Sequence, residues 1–100
     1  MKYERLAHGR ECYLRFPGIC NGNPATVVPC HLRVGGVGGM GLKPPPVCSL
    51  PGCHDCHAVL DGRAQTDLYT QDEIRSMTLV GLVQWLAWQW KEEYLIGVAA

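Results

Sequence analysis

Four of the six cysteines in this 100-residue chain fall into two pairs on either side of a histidine: Cys12 and Cys20 before His31, Cys53 and Cys56 after it. A chain this short buries too little apolar surface for its core alone to hold it firmly, and such chains recruit disulfides or a structural metal. Two half-sites of two thiols can grip one Zn²⁺ tetrahedrally and tie two distant segments together. The compartment decides between zinc and disulfide bridges. The first eight residues, Met1 to His8, contain no apolar stretch of the kind an export signal needs. A cytoplasmic, reducing location is therefore expected, where paired cysteines serve as metal ligands more often than as bridges. Cys12, Cys20, Cys53 and Cys56 are read as a structural zinc site. Cys30 and Cys48 are read as buried thiols that act as small hydrophobes.

The elements follow from local pattern. The β-branched run Thr26 to Leu32 predicts a strand, with Pro29 confining it to an edge or bulge. A Gly-rich stretch, Gly35 to Gly41, and three prolines, Pro44 to Pro46, form a loop, and Val47 to Leu50 predicts a return strand. A short helix begins near Cys53. Thr70 and Glu73 have the spacing of a capping box, so a long helix is expected from about Asp72 to Tyr94. Its apolar residues fall on two stripes, one with Ile74, Met77, Gly81, Trp85 and Trp88, the other with Leu79, Val83, Leu86 and Trp90. A helix apolar on two sides needs two covers, so a homodimer through the second stripe is expected. The uncharged run from Ser76 to Trp90 is 15 residues, short of the ~20 needed to span a bilayer, so no membrane role is expected. The architecture is a single α+β domain over residues 1–100. Residues 1–63 carry the zinc knuckle and a strand–loop–strand–helix core, and residues 64–100 a linker and the C-terminal helix.

Net charge is zero but unevenly spread. Residues 1–43 carry six cations, among them Arg10, Arg33 and Lys43, against Glu4 and Glu11. The remainder is acidic by the same margin, so the front half is the one that could face phosphates.

Two motif matches fail on context. Gly36 to Gly41 satisfies the dinucleotide-binding glycine pattern, yet three prolines follow, so no helix can open to hold a pyrophosphate. Cys53 to His57 also spells the C-x-x-C-H of c-type haem attachment, which requires export chemistry that this N-terminus does not announce. The histidines carry more. His31 ends a strand beside Arg33, and a zinc clamp would bring it near His57; a neutral imidazole there can take a proton from water. His57 has Asp61 one helical turn on, a pair able to ligate a divalent cation.

As a set, Gly9-Arg10-Glu11-Cys12, Pro17 to Pro24, His31-Leu32-Arg33, Lys43-Pro44-Pro45 and Cys53-x-x-Cys56-His57 resemble the HNH nucleases with their ββα-metal core. They resemble the small prophage-encoded YbcO-like nucleases more closely still. The likeness covers roughly residues 8–63 and implies metal-dependent hydrolysis of DNA phosphodiesters. By that resemblance His31 would be the general base, and His57, with Asp61, would hold Mg²⁺ or another divalent metal. Arg10, Arg33 and Lys43 would position phosphates. HNH enzymes commonly carry an acidic residue or histidine before the base, where this chain has Cys30. The competing reading is a non-catalytic, zinc-dependent nucleic-acid-binding or scaffold module of the same descent.

Overall fold

A computed structural model describes residues 3–32 and 44–92. Residues 33–43, among them Arg33, Lys43 and the glycine run, and residues 93–100 lie outside the described residues. Within them, a short 3-10 helix (Tyr3–Leu6) leads into the cysteine knuckle and a second 3-10 turn (Pro24–Thr26). Strand β1 (Val28–His31), strand β2 (Ser49–Gly52), helix α1 (His54–Leu60) and helix α2 (Gln71–Lys91) follow. This is a small α+β fold with one two-stranded antiparallel sheet.

The sheet's register places Pro29 opposite Pro51 and His31 opposite Ser49. Proline has no amide hydrogen, so two facing prolines fit only where the ladder makes no hydrogen bond. The Leu32 amide donates to the Cys48 carbonyl at 2.9 Å, which sets that parity. The sequence placed the return strand two residues too early. The Cys48 amide donates back to the Pro45 carbonyl, and Ser49 Oγ to that of Pro46, so Val47 and the Cys48 amide are spent in a turn and the strand proper begins at Ser49. The outer edge of β2 is closed by the knuckle segment, where the Tyr13 amide donates to the Pro51 carbonyl at 2.8 Å.

Helix α2 starts as its capping box requires. Thr70 Oγ1 accepts from the Glu73 amide and Glu73 Oε1 accepts from the Thr70 amide. Of the first apolar stripe, Ile74, Gly81 and Trp85 are buried, while Met77 and Trp88 pack partly buried against the core. Trp85 meets Tyr13 at 5.2 Å between ring centres, and Phe16, Val27 and Leu50 complete the centre. Gln89 is also fully buried: Tyr3 Oη donates to its Oε1, and its Nε2 donates to the Trp85 carbonyl. The second stripe is open, with Leu79, Val83 and Trp90 all more than half exposed.

Gly81 sits where α2 crosses the knuckle backbone. A methyl group there would stand 2.1 Å from the Tyr13 carbonyl oxygen, and Tyr13 cannot move without disturbing its own amide's bond to the Pro51 carbonyl. Gly81→Ala is therefore expected to destabilise by about 3 kcal/mol despite alanine's better helix propensity. In a domain of this size that is a fall of roughly 10–20 °C in a thermal melt of metal-loaded protein. An unchanged melting temperature would contradict the close crossing.

Candidate functional site

The fold gathers the two cysteine pairs into one cluster. The sulfurs of Cys12, Cys20, Cys53 and Cys56 all lie within 4.8 Å of one another, and they are the sole group of three or more metal-ligating side chains among the described residues. Tetrahedral Zn–S bonds of about 2.3 Å set sulfurs about 3.8 Å apart. Cys20 Sγ and Cys53 Sγ stand at 3.9 Å. Cys12, Cys53 and Cys56 are buried, Cys20 is half-buried, and none forms a disulfide.

Backbone amides supply the rest of the cradle. Cys12 Sγ accepts from the amides of Cys53 (3.2 Å) and Arg15 (3.4 Å), and Cys53 Sγ from that of Cys56 (3.4 Å). The amides of Gly22 and Phe16 reach Cys20 and Cys56. Every sulfur thus has at least one N–H donor, the arrangement that stabilises thiolate charge next to a metal. Two of these amides sit in loops that turn through positive φ, at Arg15 (48°) and Gly22 (66°). A left-handed arginine costs on the order of 1 kcal/mol. Its side chain offsets that by lying over the Tyr13 ring and bonding Gln84 and Glu11.

Without metal, the cluster already favours one thiolate. A hydrogen bond from Cys56 draws Cys12 down to about 4, and that bond together with burial pushes Cys56 upward. The four cysteines can hold a metal ion such as zinc. Cys30 stands apart from them. It is fully buried in β1, and burial raises its thiol far above the ordinary range. It stays protonated, its Sγ against the Val28 carbonyl, which is the behaviour of a packing thiol. Cys48 is only half-buried.

Clamping Cys53 and Cys56 against Cys12 and Cys20 fixes the start of α1, since Cys53 is its N-cap. That sets the direction of His57. His57 Nε2 lies 2.9 Å from Asp61 Oδ2, and Arg63 flanks the same oxygen at 3.6 Å. Burial disfavours protonation of His57, with Asp61 opposing and Arg63, His31 and His54 adding to the effect. A neutral imidazole is the form that binds a metal. Adjacent ligands on an octahedral ion at about 2.1 Å stand about 3 Å apart, so the His57–Asp61 spacing suits two neighbouring positions on one hard cation.

Beside this pair opens a cleft of about 770 Å³, lined by His31, Leu32, Leu60, Asp61 and, from α2, Arg75 and Leu79 among others. His31 enters it from the end of β1, its Nε2 shielded from solvent. The sequence identified His31 and Asp61 but not the α2 wall, because nothing in the helical pattern marks which turns face the strand end. Arg10 is placed elsewhere. Its guanidinium lies 4.2 Å above the Trp88 ring, and its Nε donates to the Leu6 carbonyl. Arg33 and Lys43 lie outside the described residues. No helix among the described residues is long and apolar enough to cross a membrane.

Comparison with known proteins agrees with the sequence resemblance at the family level. A family profile described as "Putative nuclease YbcO" matches residues 1–92. Two curated relatives, "Putative nuclease YbcO" of Escherichia coli (strain K12) and "Putative nuclease ybcO" of Enterobacteria phage 82, are each 48% identical over 59 residues. That stretch is 59% of this chain and 62% of each relative, so the match spans less than two thirds of their length. A solved structure, "Structure of a putative bacteriophage protein from Escherichia coli str. K-12 substr. MG1655", superposes with a TM-score of 0.72 at 34% identity, over 89% of this chain and 96% of that one. Matched over nearly its whole length by the family profile, the chain belongs to the YbcO family.

Proposed function

We propose that this protein is a metal-dependent DNA endonuclease of the HNH type, its ββα core formed by β1, β2 and α1 and stapled by a Cys₄ zinc. The observation that carries the reading is the convergence of His31 and Asp61 on one cleft, with His57 bonded to Asp61. The nuclease descriptions of its relatives support it.

In this reading His31 is the general base. Its imidazole would take the proton from an attacking water, a role worth typically about 10²–10⁴-fold. His57 Nε2 and Asp61 hold a divalent cation such as Mg²⁺, whose chemistry would be to stabilise charge on the phosphate and the departing 3′ oxygen. Arg63 orients Asp61. Arg10, Arg33 and Lys43 contact phosphates of the DNA. Plasmid nicking with Mg²⁺ or Mn²⁺, parent against His31→Ala, tests the reading. Activity lost on substitution supports it, and no activity with any divalent ion sinks it in favour of a non-catalytic binding module.

The homodimer belongs to the same proposal. Leu79, Val83 and Trp90 leave an apolar face on α2 that a second copy of the helix would cover. Sedimentation at high micromolar concentration should show a dimer that Val83→Glu dissociates; a monomeric parent would remove this element.

A further inference from the structure

At the other end of α2 from the cleft, the first turns of the chain and Trp88 enclose a second concavity of about 570 Å³, lined by Arg5, His8, Arg10, Glu11 and Trp88 among others. No residue is common to the two cavities. From Arg75 to Trp88 the helix climbs about 20 Å at 1.5 Å per residue.

The concavity is built around one guanidinium. Tyr13 packs on Trp85, Trp85 stacks parallel on Trp88 at 5.3 Å, and Arg10 lies over Trp88. This ladder runs from the core to the surface and holds the Arg10 plane in place, while Nε is tied to the Leu6 carbonyl. The hydrogen bond uses Nε, and among the described residues the two terminal nitrogens have no hydrogen-bond partner. A guanidinium held in place loses little entropy on binding, and its paired N–H groups match the geometry of phosphate oxygens. Arg5 and His8 line the same space. The acid in the lining, Glu11, has its carboxylate 3.3 Å from Arg15, so its charge is engaged outward.

We propose that this concavity is a phosphate-binding pocket that grips the nucleic-acid backbone away from the bond being cut. It rests on the nucleic-acid reading above and extends it, since it gives the enzyme a second anchor point on the strand. The pocket accepts the phosphodiester oxygens and reads no base. Its contribution is affinity and register rather than chemistry.

The test uses full-length, zinc-loaded protein carrying His31→Ala, so that DNA is not consumed, and a fluorescein-labelled 20-nucleotide oligodeoxynucleotide, single-stranded and duplex. Binding is followed by anisotropy across a salt series without added divalent cation. Arg5→Ala and Arg10→Gln should each weaken binding several-fold, and each should reduce the steepness of log K against log salt by about one unit. Thermal melts of the same variants check that the fold is retained, and Arg5→Ala, at an exposed position, carries the test if Arg10→Gln melts early. Inorganic phosphate in the millimolar range should quench or shift tryptophan emission in the parent and not in Arg10→Gln if a free anion suffices. An effect with the oligonucleotide alone means that the backbone is needed, and the proposal stands either way. Equal affinity and equal salt slope for the parent, Arg5→Ala and Arg10→Gln would overturn it, as would a parent that binds no oligonucleotide. Nicking by the enzyme with His31 intact is scored separately. A protein that cuts but shows unchanged slopes loses this pocket and keeps the endonuclease reading, and the reverse pattern loses the enzyme and keeps the pocket.

Discussion

Stripping the metal with a strong chelator, or replacing Cys53 or Cys56 with serine, is expected to abolish cooperative unfolding altogether. The cluster holds the knuckle (residues 12–20) against the entry to α1, and that junction carries much of the core: Phe16, Cys53 and Cys56 are all fully buried. Binding of a structural Zn²⁺ releases on the order of 10 kcal/mol, comparable to the whole stability of a small domain. Removing it also leaves Cys56 as a neutral thiol in apolar surroundings, with an amide donor positioned for charge it no longer carries. Elemental analysis should find one zinc per chain in the parent and none in Cys53→Ser. Near-ultraviolet circular dichroism of Trp85 and Trp88 should collapse in parallel. Acid should act in the same direction as chelation, because protons compete for the sulfurs. A metal-free protein with the parent's melt would show that the cluster is not structural.

Replacing His31 with alanine is expected to cut DNA cleavage by about 10²–10⁴-fold with little change in DNA binding. The side chain stands at the last residue of β1 and lines the cleft, so its loss changes the cleft wall more than the core. His57→Ala is the informative companion. It removes a proposed metal ligand, so more Mn²⁺ should recover part of its activity, whereas no concentration of metal should rescue His31→Ala. Equal cleavage by parent and His31→Ala would show that the base lies elsewhere. Identical metal dependence in the two variants would show that the roles assigned to the histidines are wrong.

Much of the site was legible before any tertiary structure because its logic is local. Cys53-x-x-Cys56 is a helix N-cap joined to a knuckle, and its spacing alone predicts converging sulfurs. His57 and Asp61 are one helical turn apart, so α1 by itself brings them to 2.9 Å. Thr70 and Glu73 announce α2 in the same way. What escaped was non-local. Gln89, polar yet fully buried, finds its partner in Tyr3, 86 positions away. Arg10 reads as a free cation until Trp88 arrives beneath it. The two apolar stripes of α2 are equally apolar in sequence, and only packing against the knuckle selects the one with Gly81, whose missing side chain admits the Tyr13 carbonyl.

The chain's own order of residues determined the two cysteine half-sites, the helix starts and the histidine–carboxylate pair, because each depends on neighbours within a turn or a knuckle; the fold then brings the half-sites, more than thirty residues apart, into one cluster. Tertiary packing decided which face of α2 is buried, how α2 closes one wall of the cleft beside His31, and where Arg10 is held. Those outcomes depend on contacts between segments tens of residues apart, and no local spacing specifies which of several equally apolar or equally charged surfaces will meet.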